Sequence, residues 1–389
     1  MTAYSGKAML RKIKNRLRTW LGNRIDGAIQ RMADPYGDSF WYASPNLWEP
    51  PVQTALKDLC RPGATVFDVG ANFGGLTSVM SRLVGPRGVV CSFEASPRIF
   101  RHLQGNIVKQ GHNNVTAYHC AVYSRSNERV KIYPGDHLND SIYDYGHGRP
   151  DEFYWVNTVS LDAFCAKTGL VPSVVKMDIE GAEFDALNGA VELIAAHKPH
   201  LILEQQPTDT RCIELLRGNG YAALDLNSYS MIKGASDFPE NVGLRNVLFV
   251  HPSRIAELPY AVPPVFEEIT KLCAKDFSHA NSSFTTTRAL RLKPGRYLAD
   301  MGFSASGSAN ELMCGVKVDG QVIFRYHGYS KLLADSYRDW VFDIPREADV
   351  QLYFDFLNDT FDDSFSLRSA QVRRLSGFSP NQALSFAMP

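Results

Sequence analysis

The sequence predicts an α/β domain, an open and largely parallel sheet with helices on both faces, followed by an all-β, jelly-roll-like sandwich. Three observations carry this. From residue 64 to about 251, apolar runs of strand length alternate with segments of helical period. Within that region Val66–Val69 runs into a glycine turn, Gly70-Ala71-Asn72-Phe73-Gly74, which opens a helix. Beyond about residue 280 the texture changes to short alternating strands, with turns at Lys293-Pro294-Gly295 and Asp319-Gly320.

Composition excludes several classes. The 389 residues carry 41 Lys plus Arg and 41 Asp plus Glu, so no global field favours nucleic acid. Hydrophobic content of 44% and charge of 21% fit a soluble globular chain of two or three domains. No apolar run reaches the roughly 18 residues needed to span a bilayer. The N-terminus lacks the apolar core and small-residue cleavage site of a secretory signal. Seven cysteines lie scattered without a Cys-x-x-Cys pair, which points to reduced thiols, a cytoplasmic setting and no zinc site.

Residues 1–33 form the first segment. Leu10, Ile13, Leu17, Trp20, Leu21 and Ile25 recur at helical period, with Lys7, Arg11, Lys12, Lys14, Arg16, Arg18 and Arg24 between them. This is a basic amphipathic helix. Docking on its own chain, docking on a second copy in a homo-oligomer, and peripheral contact with the inner face of a membrane through residues 1–30 all stay open. Residues 34–63 are an aromatic and proline-rich cap segment, with Phe40, Trp41, Tyr42, Trp48, Pro50 and Pro51.

The α/β domain spans residues 64–252. Its first strand and glycine turn bring backbone close to a ligand, and the helix that follows turns free N–H groups toward it. The second strand, residues 88–93, ends in Glu94, where an acid grips the two hydroxyls of a ribose. Asn72 replaces the second glycine of the dinucleotide pattern, and Asp68 precedes the turn, where it repels a pyrophosphate and welcomes a cation. A ligand with a sulfonium and an ammonium, S-adenosylmethionine, fits. Ser96-Pro97 then starts a helix with Phe100, Leu103 and Ile107 inward, ending near Gly111. A third strand covers residues 115–118. His119, after it, reads as a strand-end hydrogen-bonding group.

Tyr133 to Trp155 reads as one long polar loop, with His137, Asp140 and His147 as candidate acceptor contacts. A fourth strand, residues 174–179, delivers Asp178 to the rim that carries Gly70 and Glu94. Glu180-Gly181-Ala182-Glu183 turns it into a helix with Phe184, Leu187, Val191 and Ile194 on one face. The strand at residues 200–204 delivers Glu204 to the same rim. Two later strands, near residues 221–225 and 246–250, complete the sheet with an antiparallel edge.

The stretch Thr65–Thr77, together with Lys176-Met177-Asp178-Ile179-Glu180-Gly181-Ala182-Glu183, resembles the FkbM family of S-adenosylmethionine-dependent methyltransferases, from about Thr65 to about Gln205. The resemblance implies a Rossmann-like class I methyltransferase sheet. It places Asp68, Gly70, Asn72, Gly74 and Thr77 around the methionine half of the cofactor and Glu94 on the ribose. Ala121 borders the adenine, Ser141 lies on a loop near the cofactor, and Asp178 touches it from the facing strand. The activity implied is O-methyl transfer to a hydroxyl, with a leaning toward sugars in glycans, glycolipids or glycosylated natural products. Asp178 and Glu204 are the expected catalytic pair. Two carboxylates in one cleft repel, so one has a raised pKa and takes the acceptor's proton. A metal held by the pair with Glu180 or Glu183 is the alternative, and the base reading is preferred because the Asp-x-Glu pattern matches no familiar metal cage. A nicotinamide dehydrogenase, a binding protein without turnover and an assembly scaffold are the rival functions.

Residues 253–279 read as a proline-rich linker with a short helix over residues 266–275. The sandwich takes residues 280–376 and resembles a carbohydrate-binding module by texture; its exposed-looking aromatics Tyr326, Tyr329, Tyr337 and Trp340 would suit sugar stacking and the acidic run at 358–363 calcium, but core aromatics and a solvated turn are the preferred reading. Residues 377–389 form a loose tail.

Overall fold

The structure, a computed structural model, describes residues 49–135, 140–145, 152–238, 243–280, 283–305, 311–329, 338–356 and 365–379. The basic N-terminal helix, most of the aromatic cap, His137, His147, Tyr337, the acidic run and most of the tail lie outside the described residues, as do the side chains of Tyr326 and Tyr329. Among the described residues no helix is long and apolar enough to cross a membrane. All seven cysteines are free thiols.

Helix α1 (Pro50–Leu59) leads into β1 (Thr65–Val69), α2 (Gly75–Val84), β2 (Val89–Glu94), α3 (Pro97–Gln110) and β3 (Val115–His119). Three short strands follow, β4 (Ala121–Val122), β5 (Arg129–Ile132) and β6 (Tyr154–Val159), then α4 (Leu161–Thr168) and β7 (Val174–Met177). The domain continues through α5 (Glu183–Asn188), α6 (Val191–His197), β8 (His200–Gln205), α7 (Arg211–Gly218), β9 (Ala222–Asp225), β10 (Met231–Ile232) and β11 (Arg245–Val250). Eight of these strands form one sheet in the order β10-β9-β11-β8-β7-β1-β2-β3. β3, β2, β1, β7 and β8 run parallel, and β11 inserts antiparallel between β8 and β9. The expected α/β sheet is therefore present, with β11 running antiparallel two places in from the β10 edge and β10 itself antiparallel to β9.

Sequence patterning explains the register. Val66, Phe67, Val69, Val90, Cys91, Val174, Val175 and Leu201 are all buried, because helices cover both faces of the sheet. Helix α3 begins where Ser96 accepts a hydrogen bond from the Ile99 amide and ends at Gly111 in the left-handed region, φ 67°. The helix expected over residues 183–194 is broken at Gly189, where a Cβ would lie 2.2 Å from the Tyr123 carbonyl oxygen. The break turns Val191 out to solvent at 56% exposure, whereas Leu187 and Ile194 stay buried. The segment read as one loop from Tyr133 to Trp155 is shorter than expected: Tyr154 and Trp155 belong to β6, which pairs with β5 and β4 in a small three-stranded sheet.

The all-β region contains β12 (Phe266–Cys273), β13 (Phe277–Ala280), β14 (Ser283–Thr286), β15 (Leu290–Leu292), β16 (Gly295–Ala305), β17 (Glu311–Val318), β18 (Gln321–Tyr329), β19 (Asp339–Ile344), β20 (Ala348–Phe356) and β21 (Phe365–Leu375). The expected helix over residues 266–275 is instead β12, which pairs antiparallel with β21. Its residues can fill an open ladder edge, and pairing decides between strand and helix for so short a run. Two antiparallel sheets, β12-β21-β16-β19 and β13-β14-β20-β17-β18, enclose a shared core of Tyr297, Met301, Leu312, Val316, Trp340, Phe354 and Val372. Trp340 has no solvent exposure. Its ring packs 5.3 Å from Phe354, so this aromatic fills the core and is not an exposed sugar platform.

Alternation along β16 joins the two regions. Tyr297 and Ala299 face the sandwich core, while Leu298 packs with α1 residues Val52 and Leu56 and with Tyr229. Arg296, buried, donates to Asp58 of α1, to Tyr229 Oη at 3.0 Å and to both oxygens of Asp343 at 2.7 and 2.9 Å. Arg245 bridges Asp225 at 2.6 Å and Asp339 at 3.3 Å across the same seam.

Candidate active site

The carboxyl ends of β1, β2, β7 and β8 meet at one rim. Gly70 has φ 78°, and a Cβ there would lie 1.7 Å from the Asp178 carbonyl oxygen. Only glycine permits that approach. The amides of Gly70 and Ala71 donate to Phe93 O at 3.0 and 2.9 Å, and the Asp178 amide donates to Val69 O at 3.0 Å. Three strand ends are thereby tied together by backbone alone.

Asn72 takes a left-handed conformation, φ 50°, that asparagine tolerates better than most residues. Its amide donates to Glu94 Oε2 at 2.9 Å, and the Ser96 amide donates to Glu94 Oε1 at 2.7 Å. Burial pushes the Glu94 carboxyl up to about 7 even against these two hydrogen bonds. Gly74, φ 90°, packs against Leu103. Asp68 has no solvent exposure and accepts from Thr77 Oγ1 at 2.5 Å. Thr77 is itself fully buried and also bonds Ser92 Oγ at 3.0 Å, so it fixes Asp68 from behind. Ala121 is buried on β4 beside Ala95, the residue after Glu94.

The expected catalytic pair converges. Met177 and Leu203 are register partners on β7 and β8, which sets Asp178 beside Glu204 one residue further along. Glu49, just before α1, joins them: one carboxylate oxygen from each of Glu49, Asp178 and Glu204 lies within 4.8 Å of the others. Lys176, 3% exposed, donates to Asp178 at 3.1 Å. Burial works against its charge, but Asp178, Glu49 and Asp68 outweigh burial and hold the ammonium above the usual lysine range. Burial first, then the charges of Asp178, Glu49 and Glu180, drive Glu204 well above the carboxylate range. Burial pushes Glu49 and Glu180 up to about 7. The raised member expected of the pair is thus Glu204, inside a larger acid cluster.

The turn after β7 is braced from the loop side. Ser141, 3% exposed, donates through Oγ to the Glu180 carbonyl at 2.9 Å, and Tyr145 Oη donates to the same oxygen at 3.3 Å. Glu180 is held at φ 54°. Strain in a non-glycine residue at a strand end is a mark of functional rims. Glu183 heads α5 and accepts from the Ile179 amide at 2.8 Å, which gives it the helix-starting role. Asp140 is engaged by Arg98 and by the Gly135 amide at 2.9 Å, which ties down the loop. His119 lies 3.1 Å from the Ala95 carbonyl through Nε2 and stacks on Phe100.

Sequence reasoning missed Glu49 and Asn246. Asn246 on β11 is the register partner of Glu204 and hydrogen-bonds Glu49. The only local signal for Glu49 was an acid placed directly before Pro50-Pro51 at a helix start.

Fold and rim together define a largely parallel α/β sheet whose carboxyl edge, where Brändén's rule puts ligands, gathers the candidate site. Residues 68–222 match the family model described as a methyltransferase FkbM domain. Over 55 residues the chain is 43% identical to a fibrillarin-like rRNA/tRNA 2'-O-methyltransferase of Pyrobaculum neutrophilum and 42% identical to that of Pyrobaculum calidifontis. That stretch is 14% of this chain and spans only 23% and 24% of those two proteins. Among solved structures, the methyltransferase FkbM of Methylobacillus flagellatus is 15% identical with TM-score 0.33, covering 58% of this chain and 60% of that one. Aeropyrum pernix fibrillarin with bound S-adenosyl-L-methionine is 16% identical with TM-score 0.31, covering 51% and 73%.

Proposed function

We propose that the chain is an S-adenosylmethionine-dependent O-methyltransferase acting on an uncharged sugar hydroxyl. The observation that carries this is the single rim holding Asp68, Gly70, Glu94, Asp178 and Glu204, inside the region that matches the FkbM domain model. Glu94 holds the ribose, and the β1 turn holds the methionine half. The cofactor's positive charge favours ionised carboxylates nearby, so its arrival draws the proton off Glu204, which burial and its acidic neighbours hold on the protonated side. Glu204, beside Asp178, then accepts the hydroxyl proton while the oxygen attacks the methyl carbon and sulfur leaves as the thioether. The chain's main contribution is to hold oxygen, carbon and sulfur in line.

The names of the fibrillarin-like relatives raise an RNA ribose as acceptor. The acid cluster of Glu49, Asp178, Glu180 and Glu204 around one lysine disfavours a phosphate backbone, which supports a neutral acceptor. The test is methyl transfer from labelled cofactor to panels of neutral sugars, uronates and RNA, read by mass spectrometry. Asp178→Asn is expected to keep S-adenosylhomocysteine binding and to lower turnover by ~10²–10⁴-fold. Full turnover in that variant refutes the catalytic assignment, and labelled RNA refutes the acceptor.

A further inference from the structure

We propose that Glu49, Asp178 and Glu204, with Asn246, form a site for one hard divalent cation of the magnesium and manganese class. The inference rests on the methyl-transfer reading only for what the cation is for. Binding itself stands on the geometry.

Three carboxylates offering oxygens within 4.8 Å of one another make an all-oxygen donor set, the kind that hard cations select. Acidic residues gather on many surfaces without a ligand, and a second observation separates this cluster from those. Glu49 Oε2 and Asn246 Oδ1 are both sealed from solvent and have no hydrogen-bond partner. Asn246 faces Glu204 across the β8–β11 ladder, so its amide oxygen belongs to the same corner. Asp68, with no solvent exposure, adds a third unpartnered oxygen, Oδ1, and is coupled electrostatically to Lys176 and Asp178. A buried acceptor without a donor costs roughly 1–3 kcal/mol. Here several lie together, and Lys176, the cation at the cluster, already donates to Asp178.

Charge agrees with geometry. The three donor carboxylates outnumber the single ammonium of Lys176, so the corner is short of positive charge. Each carboxylate gives one oxygen, which leaves a second oxygen of Glu204 for the acceptor's proton. The cation would also place positive charge beside the acceptor's oxygen, which favours loss of the hydroxyl proton. Glu49 precedes the region matched by the family model, so the site is completed by a segment outside it.

The experiment is a manganese titration of the full chain followed by electron paramagnetic resonance, with magnesium as competitor. One saturable site per chain is expected. Glu49→Gln and Glu204→Gln should each weaken it at least tenfold, and Asn246→Ala several-fold. Asp209→Asn, an acid paired with Arg211 and not a member of the cluster, should leave it unchanged. Circular dichroism and S-adenosylhomocysteine calorimetry on each variant show that the fold and cofactor site survive. Absence of saturable binding up to millimolar manganese overturns the proposal. So does wild-type affinity in Glu49→Gln and Glu204→Gln, or an equal loss in Asp209→Asn. Loss of S-adenosylhomocysteine binding in the native chain would instead refute the methyltransferase reading and leave the cation site standing.

Discussion

Replacing Glu94 with glutamine should change how stability depends on pH, and in a calculable direction. Burial raises its carboxyl from 4.5 to about 7 in the folded chain. A carboxyl raised on folding binds its proton more tightly in the native state. Stability from that proton is fully present below the unfolded pKa and is lost as pH rises from about 4.5 through about 7. At 1.36 kcal/mol per pKa unit the single-site limit is about 3 kcal/mol, of which about 2 kcal/mol falls between pH 5 and pH 7.5. Glutamine removes the titration. It also puts an NH2 against one of the two backbone amides that Glu94 now accepts from, the amides of Asn72 and Ser96. That costs about 1 kcal/mol, the same at every pH. The variant should therefore be slightly less stable than the native chain at pH 5 and more stable at pH 7.5. Urea unfolding of both proteins at half-unit steps of pH, without cofactor, reads this crossover. Parallel curves for the two proteins would mean that Glu94 titrates normally and that the buried-acid account of Glu94 is wrong.

Gly70→Ala should destabilise the fold by about 2–4 kcal/mol, because its Cβ meets the Asp178 carbonyl oxygen at 1.7 Å and its φ is 78°. A loss under 1 kcal/mol by thermal melting would show that the rim is looser than the contact implies. Arg296→Met should cost about 3–5 kcal/mol by leaving Asp58 buried without its partner, and adding Asp58→Asn should recover part of that. If the double variant is as unstable as the sum of the singles in urea, the pair is not coupled across the seam.

Much of the α/β domain was legible in the chain itself. Alternation of strand-length and helix-length apolar segments gives a covered parallel sheet, because a strand buried on both faces reads as a continuous apolar run. The Ser96-Pro97 start and Gly111 stop of α3 were equally local, since a cap is made by residues three or four apart. The positions of Asp178 and Glu204 at strand ends could be read for the same reason: a strand's last residue is fixed by its own sequence.

What each end faces is a matter of register and packing between strands distant in sequence, and only the tertiary structure decided it. Glu49 and Asn246 reach the Asp178–Glu204 corner from segments with no motif of their own. For Trp340 alternation gives two faces without saying which one is covered, and packing against Phe354 put it in the core. Residues 266–273 looked helical because a run of eight is ambiguous until a partner, here β21, offers an open edge. The break at Gly189 has the same origin, a carbonyl of Tyr123 more than sixty positions earlier in the chain, pressed against the place where a side chain would stand. Sequence set which residues could form strands, caps and a glycine turn, because those are short-range preferences. Assembly of the acid cluster and burial of Arg296 between the two regions came from long-range packing, which a linear pattern does not encode.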